Sequence, residues 1–136
     1  MGLEMTALAY RNNANKYASM HTETLIDDAS PHKLIQMLMN GFLMRVNAAK
    51  GCIDRGDFEE KSTQISKASA IVGGLMDGID AEKGGDIAAN LMSLYEYINL
   101  RLFQASAQNS TEILDEVLIL MREIKQAWDA IPEMYQ

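Results

Sequence analysis

Apolar residues recur along most of this chain at three- and four-residue spacing, the period of helices that bury one face. The stretch 112–131 carries the pattern most cleanly. Ile113, Val117, Leu120, Met121, Ile124, Trp128 and Ile131 fall on one side of it, and Pro132 closes it. No segment alternates apolar and polar residues between turn signals as a half-buried strand does. Upstream, Ser30-Pro31 starts a helix, because the serine hydroxyl can accept an orphan amide while proline in the first turn wastes no donor. That helix is predicted over 31–55. Gly56 ends it, and Asp57 is placed to cap a second helix over 58–79. Asp80 to Gly85, with two adjacent glycines, reads as a turn before a third helix over 86–107. Asn109-Ser110-Thr111 then caps the fourth helix. Four helices joined by turns this short pack as antiparallel neighbours, so the expected fold is all-α, an up-down-up-down four-helix bundle. Residues 1–29 are more polar and predict an arm or short helix preceding the bundle of 30–136.

The circumference of the first helix adds a second observation. Ile35, Leu38, Phe42, Val46, Ala49 and Ile53 form a stripe suited to the core, yet Leu34, Met37, Gly41, Met44 and Ala48 form another beside it. In the third helix Ile87, Leu91, Leu94, Tyr95, Ile98 and Leu102 make the core stripe, leaving Met92, Tyr97, Leu100 and Phe103 pointing elsewhere. Part of this surplus is the other half of a bundle core, since each helix touches two neighbours. The remainder predicts a surface that a partner covers. Ten methionines suit such a surface, because flexible thioethers adapt to another helix, although a Met-rich core is the commoner explanation of any one of them.

Composition narrows the function classes. The length is that of a single domain, and 48% hydrophobic with 23% charged residues is ordinary globular composition. A net charge of −7 with scattered basic residues argues against a nucleic-acid partner or an anionic membrane. No apolar run approaches the length of a membrane span or of a signal peptide, so a cytoplasmic protein without membrane insertion is expected. Cys52 is the single cysteine, which excludes an internal disulfide and a cysteine-based zinc site; among Ala48, Ala49 and Ile53 it reads as a small core hydrophobe. His21 and His32 lack a second ligand at metal-binding spacing and read as surface residues. The glycine pairs fit neither a phosphate loop nor a dinucleotide fingerprint. No catalytic residues, no cofactor and no metal are expected, and a helix-binding module is favoured over an enzyme.

Several stretches carry a family resemblance: ASPHKLIQMLMNG at 29–41, RGDFEEKSTQISKA at 55–68, DAEKGGDIAANLMSLYEYINLRL at 80–102, and Ile124-Lys125-Gln126-Ala127-Trp128. Together with Tyr17 they span about 17–131 and resemble the FliS flagellar export chaperones. The resemblance implies an antiparallel helical bundle that binds the C-terminal region of flagellin. It also implies that premature polymerisation is prevented in the cytoplasm and that the client is delivered to the flagellar type III export gate. A tyrosine in the family's N-terminal arm, which caps part of the apolar surface and touches the gate, stands fourteen residues before the Ser-Pro proline. Tyr17 stands fourteen before Pro31, while Tyr10 in LAYRNN resembles the family's Ala-Tyr element. Where the family often has a basic pair, Asn99-Leu100 precede Arg101 here. Candidate partner contacts are therefore Tyr17, Leu34, Met37, Met44, Ala48, Tyr97 and Arg101, with core packing or bonds inside the bundle as the structural alternative. A self-associating bundle protein is the rival reading, and the expected state is a monomer or weak dimer.

Overall fold

The computed structural model describes residues 30–131, and of residue 81 the backbone only. Its elements are α1 Pro31–Arg55, α2 Phe58–Asp77, α3 Ala81–Gln108 and α4 Thr111–Asp129, with no strand among the described residues. Local chemistry sets each boundary. The Ser30 side chain accepts the Lys33 amide at 3.1 Å ahead of Pro31. Gly56 turns left-handed at φ 74°, where its amide bonds Ile53 O and the Asp57 amide bonds Cys52 O, a Schellman ending that only glycine adopts without strain. Asp57 then caps α2 through the Glu60 amide at 3.3 Å, and Ser110 caps α4 through the Ile113 amide at 3.2 Å.

Three boundaries differ from expectation, the first being α2, which ends at Asp77, short of the expected 79. The segment 80–85 is not an open turn. The Asp80 carboxylate caps the Lys83 amide at 3.1 Å and sustains a single helical turn, after which Gly85, at φ 59° and ψ −137°, breaks the path and the long stem of α3 begins. At the other end α4 stops at Asp129, short of Ile131.

The helices form a four-membered ring in which α1 packs on α2 and α4, and α3 packs on the same two neighbours. Their inward stripes interlock around Phe42, Met39, Tyr95, Ile98, Leu102, Leu114 and Met121, all fully buried. Each such side chain contributes roughly 1.5–3 kcal/mol by leaving water. Cys52 is buried, as its apolar setting predicts. His32 corrects the sequence reading: it is buried, its Nε2 meets Trp128 O at 2.7 Å, the Trp128 indole N–H donates to His32 O at 3.0 Å, and the rings stack 5.2 Å apart. These mutual bonds tie the first turn of α1 to the last turn of α4. Lys61 is also buried, where its ammonium donates to Ser106 O at 2.8 Å beside the carbonyl end of α3.

Candidate functional site

The two flanks of α4 are used differently along its length. On the α1 side its C-terminal half is held by the His32–Trp128 pair and by Gln36, which donates to Asp129 at 2.6 Å, with Lys50 paired to Asp115 further up. Burial raises the Asp129 carboxyl, but bonds from Lys125 and Gln36 outweigh it and leave the group below its ordinary value. On the α3 side the N-terminal half is clasped by Glu116, whose carboxylate accepts Arg101 Nε at 2.6 Å and the Tyr97 hydroxyl at 3.1 Å. Arg101 also donates to Gln104 at 2.7 Å. The guanidinium bond holds Glu116 below the usual carboxylate range, and the same carboxylate keeps the Tyr97 phenol and the Arg101 guanidinium protonated to higher pH.

Below that clasp α3 and α4 leave a groove of about 420 Å³. Ile87, Leu91 and Leu94 form one wall, Ile124, Ala127 and Ile131 the other, and Met39, Tyr95 and Trp128 lie at its base. Asn90 and Glu123 supply its polar atoms. A hollow of about 350 Å³ between α1 and α4 has mostly polar side chains by contrast, Asn40, Arg122, Lys125, Gln126 and Asp129 around Leu43. The apolar groove lies where the lower end of α4 is tied to α1, and Ala127 is too short to fill the gap left on the α3 side.

The residues singled out from sequence do not gather in one place. Leu34 is corrected to a core residue: it is 2% exposed and packs with the inward stripe, because the α2 side of α1 is buried at that level. Met37 is half-buried against the core, whereas Met44 is 71% exposed and Ala48 is exposed one turn further on. Tyr97 and Arg101 meet each other through Glu116, within the bundle. Tyr17 lies outside the described residues. Apart from Ala127, the groove walls are residues the periodicity assigned to the apolar stripes, and Ile87, at 48% exposed, is the plainest departure. The small residues beside them and the glycine pair just before were the available signal.

Among the described residues no three His, Cys, Asp or Glu side chains are grouped to hold a metal ion, and no helix is long and apolar enough to cross a membrane. Comparison with known proteins places the chain more closely. The family model described as flagellar protein FliS matches residues 13–135. The chain is 45% identical over 116 residues to the flagellar secretion chaperone FliSB of Pseudomonas aeruginosa, covering 85% of this chain and 92% of that one. It is 40% identical to the flagellar secretion chaperone FliS of Salmonella typhimurium (85% and 86% covered) and 37% identical to that of Vibrio cholerae (92% of each). A helical bundle with an open apolar groove, matched over nearly its whole length, therefore belongs to the FliS family of flagellar secretion chaperones.

Proposed function

We propose that this chain is a non-enzymatic cytoplasmic chaperone that binds the C-terminal region of flagellin, keeps it from polymerising early, and hands it to the flagellar export gate. The observation that carries this is the groove between α3 and α4, an apolar channel in a chain of the flagellar chaperone family. A segment disordered in the free client gains order by laying an apolar helical face into such a channel, which hides the surface it would use for assembly. Binding then competes with polymerisation. Residues 30–136 act as one bundle domain and 1–29 as an arm carrying Tyr17, the candidate for the gate. Met44 and Ala48, exposed on α1, offer a separate contact strip.

The test is calorimetry with a peptide from the C-terminal region of the same organism's flagellin, with far-ultraviolet dichroism in parallel. A one-to-one complex with gained helix is expected. Leu94→Glu, placed on the groove wall, should weaken it roughly tenfold or more with the chaperone's own helicity unchanged. Failure of the unaltered chain to bind would sink the proposal.

A further inference from the structure

Resting on that proposal, we infer that the groove selects its client by charge as well as by shape, and that Glu123 is the selecting residue. Of the eleven side chains lining the groove, Glu123 is the only charged one. It is exposed, and no described residue pairs with it, whereas the other acid facing α3, Glu116, is taken up by Arg101 and Tyr97. A carboxylate beside a channel of isoleucines and leucines favours an occupant that brings a cation next to its apolar stripe. It penalises one that brings a second carboxylate.

The dimensions name the shape of that occupant. Both walls are helices, so no strand edge is offered and the occupant satisfies its own backbone as a helix. From Ile87 to Leu94 the α3 wall spans eight residues, or about 10 Å at the rise of an α-helix, and Ile124 to Ile131 line the facing side. That length accommodates two turns, whose apolar residues sit at i, i+3, i+4 and i+7. The groove is thus built for two turns of an amphipathic client helix with a Lys or Arg flanking its apolar face. The net charge of −7 draws the same kind of segment from a distance.

The experiment uses the full chain, the flagellin C-terminal peptide, and Trp128, the sole tryptophan, as a reporter at the groove base. Peptide binding should change Trp128 emission. Glu123→Gln should weaken binding about two- to fivefold and Glu123→Lys roughly tenfold, as expected for losing or reversing one exposed ion pair. Added salt should weaken the unaltered protein more than Glu123→Gln. Glu96→Gln removes the same charge outside the groove and should leave affinity unchanged. Equal affinities for all four proteins, with the peptide bound, would overturn the selecting role while leaving the client reading intact. Unchanged Trp128 emission on a peptide that calorimetry finds bound would put the peptide elsewhere on the bundle, and also overturns it. Absence of any binding defeats both.

Discussion

The α1–α2 seam and the α3–α4 seam are built from similar apolar material and end differently. Along α1–α2 the stripes close on each other: Leu34, Leu38, Ile65, Ile71, Val72 and Leu75 are buried, and a methyl added at Gly41 would already touch Ile71 at 3.5 Å. Along α3–α4 the upper half is clasped by one carboxylate and the lower half stands open over Met39 and Trp128. Composition does not separate the two seams. What separates them is how α4 divides its contacts, with its lower end committed to α1 through His32 and Gln36. One seam is closed, and the other leaves apolar surface open, the surface proposed for the client.

The strongest way to break this contrast is to cut the same kind of side chain from each seam. Leu34→Ala should cost about 2–5 kcal/mol of unfolding free energy, because a sealed site cannot collapse onto the cavity. Ile87→Ala, at the open groove, should cost less than about 1 kcal/mol while weakening client binding. Denaturant titration of both variants checks the pair, and equal losses would erase the distinction between the seams. Next in size is the kink at Gly85, just before Ile87. Gly85→Ala meets no steric obstacle around its new methyl, but φ 59° with ψ −137° suits glycine alone. A loss of about 1–3 kcal/mol is expected, read by thermal melting; a variant as stable as the parent would mean the kink is not held by the rest of the fold.

The smallest effect is electrostatic. Glu116 is held below its ordinary value in the folded chain, so its contribution is present at neutral pH, above the unfolded value. It fades as acid takes the pH down through the folded value. Part of this is screened, since both Glu116 and Arg101 are partly exposed. Glu116→Gln should therefore lower stability slightly at neutral pH and lessen its slope below about pH 5. Unfolding measured across that range in parent and variant checks the sign.

Helix positions were legible from sequence because their ends are decided by neighbours in the chain. Ser30-Pro31, Gly56-Asp57 and Asn109-Ser110 carry their caps within three residues, and the structure places α1 and the start of α2 where those residues predict. The segment at 80–85 was misread since the Asp80 cap and the Gly85 break act in succession, and composition alone looks like a turn. Helical periodicity identified a surplus of apolar surface but misplaced it. It put Leu34 on the partner face and Ile87 in the core, when burial reverses the two. It also left His32 on the surface, because its partner Trp128 stands 96 residues away.

From the sequence alone came the four helices, their order around a bundle and the family resemblance, all of which depend on chain-local patterns or on their sum. Only the tertiary structure decided which apolar flank stays open. A stripe on a helix records which residues are greasy, and not which neighbour comes close enough to cover them. That closeness is set by long-range ties such as His32 to Trp128 and Arg101 to Glu116, which no local spacing encodes.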